Sequence, residues 1–440
     1  ENVAAGLGPP NVAPLAPSFL ANGGLPPAGG SGITILSKAD AIASTSTWIP
    51  PKVQDPYSIN WNFGVQHAFG KNYSAEVNYV GTRGVHLDFQ DIINLASVVT
   101  PATALPTYNQ APSQATLDAL PNSLDNLLAL QAANIVPANY LNAGFGGSAI
   151  TAFLPRGQSS YHGLQAGLTR RFSNGLTFQS AYTWSHTIDN GTADFHTSDI
   201  TPRRPQDFFN FSSEKANSAL DRAQRFTVAI VYDLPFFKGG NWMMKNVIGN
   251  WSFSPVYTYE TGEWVTVQAQ QDANLNGDSA GDRAIVNPAG VRGTGTDVTP
   301  LCRVSNPCDP TTGVVVAYLA DNPNAQYIRT GLGALSNLGR NTLQTPGTNN
   351  IDLGVYKNFD ITERMKFRFG AQFGNIINHP QYIPGSNPGF GLGVNDVNGF
   401  NSVGTGYKAF VTPGDANFNN PKAVFASNAR TIALMAKFSF

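Results

Sequence analysis

The sequence predicts an all-β fold, an antiparallel meander of about nine long strands, on three observations. Apolar and polar residues alternate over segments of about ten residues, which indicates strands with one apolar and one polar face. Turn residues separate neighbouring segments, and the pair Asn174 and Gly175 is the strongest short-range signal for a hairpin. Short and long connections also alternate along the chain, whereas a β-sandwich would have short turns at both ends.

Residues 159–187 show this pattern most fully. In the second arm of this hairpin, Phe178, Tyr182 and Trp184 alternate with polar residues. Each arm is about ten residues long, which is the length that a tilted strand needs to cross the hydrocarbon core of a bilayer. The polar face suits a wet interior, and the aromatic residues at the strand end suit a membrane interface. The segment therefore predicts a transmembrane hairpin.

Seven further segments alternate in the same way, and most pairs of neighbouring segments are joined by a short turn on one side and a long insertion on the other. They are Tyr57–Phe69, Tyr73–Thr82, Arg222–Leu234, Asn250–Thr261, Asn350–Phe359, Arg364–Ile377 and Arg430–Phe440.

The connections divide the chain into a lead-in and a barrel region. Residues 1–56 are rich in Pro, Gly, Ala and Ser, which predicts an extracellular loop or a disordered lead-in. Residues 57–440 form the predicted barrel region. Outer-membrane barrels have short periplasmic turns and long extracellular loops, so the long insertions are predicted to be extracellular. Ser123–Asn134 predicts a short helix capped by Ser123. The long insertions are 84–157, 188–221, 262–348 and 378–428.

Composition and charge exclude other classes of protein. Charged residues make up 12% of the chain, whereas soluble domains average about 25%. The net charge of -1 argues against a nucleic-acid partner, which would need a basic surface. The sequence has no apolar run of about 18 residues, so no transmembrane helix is predicted.

Several segments together resemble the barrel of TonB-dependent outer-membrane receptors of the Oar-like type, whose members contain a carboxypeptidase-regulatory-like domain. They are DPYSINWNFGVQHAFGKNYSAEVNYVGTRGVHL, SSYHGLQAGLTRRFSNGLTFQSAYTWSHTIDN, LDRAQRFTVAIVYDLPF, LGRNTL and NNIDLGVYKNFDITERMKFRFGAQFGNIINHPQY. The resemblance implies a barrel of about 22 strands in the outer membrane of a Gram-negative type bacterium. It also implies an N-terminal plug and TonB-coupled uptake of a large or scarce solute.

The plug, the TonB box and the first half of such a barrel are absent from this sequence. We therefore expect a C-terminal barrel fragment that would contact TonB through the missing N-terminal part. We also expect an open sheet, in which Tyr57–Phe69 and Arg430–Phe440 are unpaired edges. The final aromatic residues, Phe438 and Phe440, resemble the signal that the barrel-assembly machinery reads at the C-terminus.

One loop resembles the first half of a calcium-binding loop. Gly277 would give its sharp turn, but Arg283 stands where a bidentate Glu is expected. The alternative is a loop of Asx turns, in which the side chains bond their own backbone. No other cofactor is predicted. The candidate ligands within 272–283 are Asp272, Asn274, Asn276, Asp278 and Asp282.

Two cysteines, Cys302 and Cys308, lie close together in a polar loop. A disulfide between them fits an oxidising compartment and would stabilise the loop by roughly 2 kcal/mol. The alternative is two free thiols.

Charged side chains on the polar strand faces are predicted to line the lumen, because a Lys or Arg facing lipid near the midplane costs about 2–4 kcal/mol. The functional interpretation is a polar wall that contacts solute or plug; the alternative is cross-strand charge pairing. These residues are Glu76, Arg225, Asp233, Glu260, Asp352, Lys366, Arg368 and Lys437.

Three functions remain open at this point. The first is a receptor and transporter barrel, and the second is a structural or adhesive outer-membrane barrel. The third, an outer-membrane hydrolase, needs a nucleophile with a His at one rim, and the sequence shows no such constellation. We therefore predict no enzyme and no catalytic residue, and the identity of the solute is not encoded in any motif.

Overall fold

The computed structural model describes residues 37–192, 202, 204–237, 243–304, 308–309, 313–362, 364–383 and 404–440. Its main element is a sheet in which nine long strands each pair antiparallel with the next one along the chain. The predicted antiparallel meander is therefore confirmed. The strands are β1 (Tyr57–Phe69), β2 (Tyr73–Ile92), β3 (Thr151–Ser173), β4 (Leu176–Asp189), β5 (Gln224–Asp233), β6 (Trp251–Glu260), β7 (Thr348–Asp360), β8 (Lys366–Gly374) and β9 (Thr431–Ser439).

The register gives the sheet one continuous apolar face. Residues directly opposite each other on paired strands point to the same side of a sheet. Phe63 lies opposite Tyr79, which lies opposite Leu164, which lies opposite Trp184. Phe63 and Leu434, near the two ends of this face, are each 73% exposed. Large apolar side chains are exposed on this face of β1–β4, β8 and β9, as a lipid-facing surface requires.

The hairpin turn between β3 and β4 forms as predicted. Asn174 and Gly175 both have positive φ, 51° and 80°. This is the left-handed pair that a type I′ turn needs, and it matches the twist of the flanking strands. Ser173 and Leu176 close the ladder on either side of the turn.

Two strands extend well beyond their predicted ends. β2 continues to Ile92 and β3 begins at Thr151, so the predicted loop 84–157 was wrong at both ends. The ladder breaks near His86, which has a φ of 57°, and then resumes as far as Ile92. The apolar alternation ends where the lipid ends, but a ladder needs only backbone hydrogen bonds, so pairing continues without that sequence signal.

The remaining segments pack together at the end of the sheet away from the short turns and are here called the loop assembly (described residues of 93–150, 190–223, 261–347 and 375–430). Its helices are α2 (Gln114–Asp118), α3 (Leu124–Asn134), α4 (Ala138–Asn142), α5 (Gly404–Val411) and α6 (Pro421–Val424), with a 3-10 turn at Phe211–Glu214. Its short strands are Thr107–Tyr108, Ala216–Asn217, Trp264–Val265, Ile285–Val286, Val291–Thr296, Val298–Arg303, Val314–Ala320, Ala325–Ile328, Leu343–Gln344, Tyr382–Ile383 and Ala426–Ser427. A turn of π-helix, Met244–Ile248, lies in the connection between β5 and β6.

The largest buried apolar clusters lie in the loop assembly. One cluster gathers Val265, Tyr327 and Phe410, and another gathers Leu127 and Tyr318. The predicted helix after Ser123 is confirmed as α3, whose only buried side chain is Leu127. The Ser123 hydroxyl accepts a hydrogen bond from the amide of Asn126, as an N-cap does.

The lead-in 1–56 contains regular structure in its described part. A short helix, α1 (Lys38–Ala43), is capped by Ser37. Thr47–Trp48 pairs in parallel with the first residues of β3. The pairing with β3 was not predicted, because it depends on the extension of β3 to Thr151. The interpretation of 1–56 as an extracellular loop or lead-in stays a prediction. Residues 1–36 lie outside the described residues.

Within the described residues, β1 pairs only with β2, and β9 pairs only with β8. The expected open sheet with two unpaired edges is present in the structure. Among the helices described, none has the length and apolar character needed to span a membrane.

Candidate functional site: a polar cavity in the loop assembly

Two arginines and two acids form a buried cluster that ties the loops to the end of β4. Arg340 donates to the carboxylate of Asp189 and, at 2.9 Å, to its carbonyl oxygen. Arg283 donates to Glu214, and the Arg340 Nε donates to the Glu214 carbonyl at 3.1 Å. All four side chains are at most 5% exposed. Buried charges persist only when they are paired in this way.

One member of this cluster, Arg283, lines a cavity of about 450 Å³ between three loops. The Nε of Arg283 and the Oε1 of Gln206 are buried without a hydrogen-bond partner in the described structure. Both residues line the cavity, but these two atoms are covered by protein and do not face its free space. The polar side chains that are exposed around the cavity are those of Asn210, Ser213 and Asn337, and groups of this kind hydrogen-bond polar ligands. The lining residues are Ser97, Val99, Pro101, Gln206, Asp207, Asn210, Ser213, Asn274, Arg283, Leu335, Ser336, Asn337, Leu338 and Gly339.

The candidate calcium loop lies against this cavity, and its side chains bond their own backbone. The Asp272 carboxylate accepts from the amides of Asn276 and Gly277, both at 2.9 Å. The Asn276 Oδ1 accepts from the amide of Asp278 at 2.9 Å. These are the Asx turns that the sequence analysis gave as the alternative. Gly277 has a φ of +86°, which suits glycine.

The acids of this loop differ in their partners. Asp278 receives two hydrogen bonds from Arg204, at 2.5 and 2.7 Å. Asp282 accepts from the amide of Ala273 at 2.5 Å through one oxygen, while the other is buried without a partner. No group of three or more His, Cys, Asp or Glu side chains in the described segments has the geometry to hold a metal ion. Calcium at 272–283 stays a prediction.

Burial and repulsion between neighbouring acids both raise the pKa values of carboxyls in this loop. Burial raises the pKa of Asp282 well above its usual range, and the nearby charges of Asp272 and Asp278 raise it further. Burial also raises the pKa of Asp272. A raised pKa means that the folded loop favours the protonated acid, so these acids stabilise the loop at low pH. That contribution is lost as the pH rises through the raised pKa.

The two cysteines lie at the end of the short strand Val298–Arg303. The structure joins Cys302 to Cys308 in a disulfide, with Cys302 fully buried and paired in register with Val315. The residues between them, 305–307, are outside the described part of the chain.

The register places all eight predicted lumen residues on the polar face of the sheet. Among the described residues of this set, Arg225 and Glu260 form a cross-strand ion pair at 3.4 Å. Lys437 lies directly opposite Arg368, which donates to Asn358 at 2.7 Å. Cross-strand placement thus pairs Arg225 with Glu260 and sets Lys366 opposite Asp360, but it leaves Arg368 and Lys437 facing each other as like charges. The cations Lys366, Arg368 and Lys437 border one cavity of about 350 Å³.

One lysine that the sequence analysis did not single out lies on the apolar face. Lys357 is opposite Trp251 and Phe369, and its ammonium lies 5.1 Å from the Trp251 ring. The ammonium donates to the carbonyls of Val247, at 3.2 Å, and Gly249. The sequence does contain a signal by which Lys357 could have been found, because it is a lysine among aromatic residues near a predicted turn.

The C-terminal aromatic residues differ in their surroundings. Phe438 lies opposite Phe367 on the apolar face, while Phe440 is 96% exposed. Their role as an assembly signal stays a prediction.

The chain matches the family described as outer membrane beta barrel domain over residues 6–404. The protein belongs to this family. It is therefore an outer-membrane β-barrel protein, as the two-faced sheet indicates. No curated protein matches the chain.

Solved structures similar to this barrel protein share little sequence with it. The outer membrane transporter YddB from Escherichia coli has 8% identity and a TM-score of 0.38, over 91% of this chain and 35% of that one. The ferripyoverdine receptor of Pseudomonas aeruginosa has 9% identity and a TM-score of 0.35, over 87% and 27%. A mutant of the ferric enterobactin receptor from Pseudomonas aeruginosa has 10% identity and a TM-score of 0.34, over 87% and 31%. The chain spans 27–35% of the length of these proteins.

Proposed function

We propose that this chain is the barrel portion of an outer-membrane receptor that takes up a large or scarce solute with energy supplied through TonB. The observation that carries the proposal is the polar cavity in the loop assembly, which is lined by exposed polar side chains that include Asn210, Ser213 and Asn337. The polar face of the sheet supports it, because it provides a wet wall with few bulky side chains. The resemblance to Oar-like receptors supplies the energy source, the plug and the total of about 22 strands.

The proposal includes two protein partners. TonB would act through the N-terminal part of the full-length protein, and the barrel-assembly machinery would read Phe438 and Phe440. No catalytic residue and no resident cofactor are part of the proposal. The alternative is a structural or adhesive barrel, and the observation that favours it is a loop assembly with its own buried clusters.

Uptake by cells tests the proposal. Cells with the full-length gene, cells lacking it and cells lacking TonB are given a complex solute mixture, and mass spectrometry measures what leaves the medium. We expect one class of polar solute to be depleted only when both proteins are present and the proton-motive force is intact. Equal depletion by all three strains would refute transport and leave the adhesive alternative.

A matched pair of variants locates the solute site. Ser213 borders the cavity, and Ser213→Trp would fill it. Ala132, exposed on α3, gives the control Ala132→Trp. We expect at least a ten-fold loss of uptake for the first variant and wild-type uptake for the second. If both variants transport normally at wild-type abundance, the cavity is not the solute site.

A further inference from the structure

A second cavity lies at the outer end of the apolar face, and its height can be derived from the register. Tyr73 begins β2 at the periplasmic turn, and Arg83 lies ten positions later on the same face. Strands rise about 3.3 Å per residue and tilt by about 35–45° in such barrels. Arg83 is therefore about 25 Å above Tyr73 along the membrane normal, which is the height of the apolar band.

Aromatic rings lie directly below Arg83 on the same face. Trp61 and His162 both lie opposite Gly81, one rung below Arg83, with their ring centroids 5.9 Å apart. The Tyr79 hydroxyl makes a 2.7 Å hydrogen bond with the Nδ1 of His162. Such amphipathic rings mark the level of lipid headgroups. The site above them is thus at the surface of the outer leaflet.

Positive charge gathers around this site. Arg83, Arg156 and Lys215 border one cavity of about 870 Å³, together with His86 and Trp61. Within the described residues, neither Arg83 nor Lys215 has an ion-pair partner in the structure.

The acids near this cavity do not neutralise the positive charge of Arg83 and Lys215. Asp189 is the only acid that borders it in the described chain, and Asp189 is held by Arg340 of the buried cluster. Asp91 lies 3.5 Å from Arg156 and is buried beneath it. Two cations therefore face the cavity without compensation, and the Arg156 side chain, 53% exposed, still reaches it.

We propose that this cavity binds the phosphorylated headgroup of a lipid in the outer leaflet. Guanidinium and ammonium groups are the usual partners of phosphate oxygens. The apolar face below Trp61 is continuous with the cavity, so acyl chains can lie on the strands while the headgroup reaches the cations. This combination of a cationic cavity and an adjoining lipid-facing surface suits an amphiphile better than a free anion. The site is independent of the proposed uptake function.

Native mass spectrometry of the full-length protein in detergent tests the site. The protein is incubated with a phosphorylated glycolipid, with phosphatidylcholine, or with inorganic phosphate, and the bound fraction is measured. The test variant is the triple Arg83→Gln, Arg156→Gln and Lys215→Gln. The control triple, Lys366→Gln, Arg368→Gln and Lys437→Gln, removes the same charge from the polar face. Heat-modifiable gel migration shows that each variant is folded.

We expect the wild type and the control to retain the phosphorylated glycolipid and not phosphatidylcholine. Each cation removed from the site should weaken binding about five-fold, since each contributes a similar increment near an anionic surface. Equal retention by a folded test triple overturns the proposal. An equal loss in the control triple also overturns it, because the effect would then be one of net charge. Inorganic phosphate binding as tightly as the glycolipid would show a free-anion site instead of a lipid site.

Discussion

The sheet exposes large apolar side chains on its outer face, whereas the loop assembly buries its apolar side chains in its interior. In the sheet, Phe63 and Leu434 are each 73% exposed, whereas in the loop assembly Val265 and Phe410 are fully buried. The two regions differ because their surroundings differ. In contact with lipid an apolar exterior is stable, whereas in contact with water apolar side chains are stable only when they are buried. The boundary between the two lies close to Arg83, where the strands leave the lipid. Three predictions test this comparison, from the largest expected effect to the smallest.

Breaking the buried charge cluster should open the loop assembly and leave the sheet intact. Arg340→Ala would strand Asp189 as a buried unpaired charge, which costs about 3–5 kcal/mol. Hydrogen exchange should rise in the loop assembly and stay slow in β5–β8. The control is Arg292→Ala, an exposed arginine of the same assembly. Faster exchange throughout the sheet would mean that the two regions unfold as one unit.

Substitution by arginine should destabilise the barrel much more at Leu434 than at the adjacent residue of β9, Met435. Leu434→Arg places a charge on the apolar face and should destabilise the barrel in vesicles by about 2–4 kcal/mol at most. Met435→Arg places it on the polar face and should cost little. Urea titration with heat-modifiable gel migration measures both. Equal costs would contradict the assignment of the two faces.

Removing one buried acid should stabilise the loop assembly at neutral pH. Asp282→Asn removes a carboxyl whose pKa is raised by burial and by Asp272, so the cost of ionising it disappears. We expect the melting temperature to rise by about 2–4 °C at pH 8, the effect of about 1 kcal/mol, with no gain in acid. Asp125→Asn, an exposed acid of α3, is the control. A gain of the same size at all pH values would exclude ionisation as the cause.

The same measurement addresses calcium. If the ion binds at 272–283, it neutralises the repelling carboxylates, and calcium should raise the melting temperature of the wild type at pH 8. Asp272→Ala should abolish that rise, because it removes the first oxygen ligand of the pattern. An unchanged melting temperature at millimolar calcium would remove the site and leave the Asx turns as the whole explanation of the motif.

The sequence predicted features that repeat at short range. The two faces of β8 could be assigned because alternation with a period of two is visible within one strand. The helix α3 could be placed because its cap, Ser123, is adjacent to it. The buried cluster could not be predicted, since Arg340 and Asp189 are 151 residues apart and no local pattern pairs them. The extensions of β2 and β3 were missed because backbone pairing continues after the alternation ends.

The extended hairpin of β2 and β3 has a thermodynamic consequence for recognition. From Arg83 to Ile92 the strand continues for about 30 Å beyond the lipid surface, at about 3.3 Å per residue. The segments that follow are therefore anchored to a stem of β2 and β3, in which Asp91 and Ala152 still pair near the tip and Thr47–Trp48 adds a short third strand. A ligand that meets preordered segments loses less conformational entropy on binding than one that must order them. The affinity of the loop assembly for a ligand should thus depend on the stability of the pairing between β2 and β3, even when the ligand does not contact these strands.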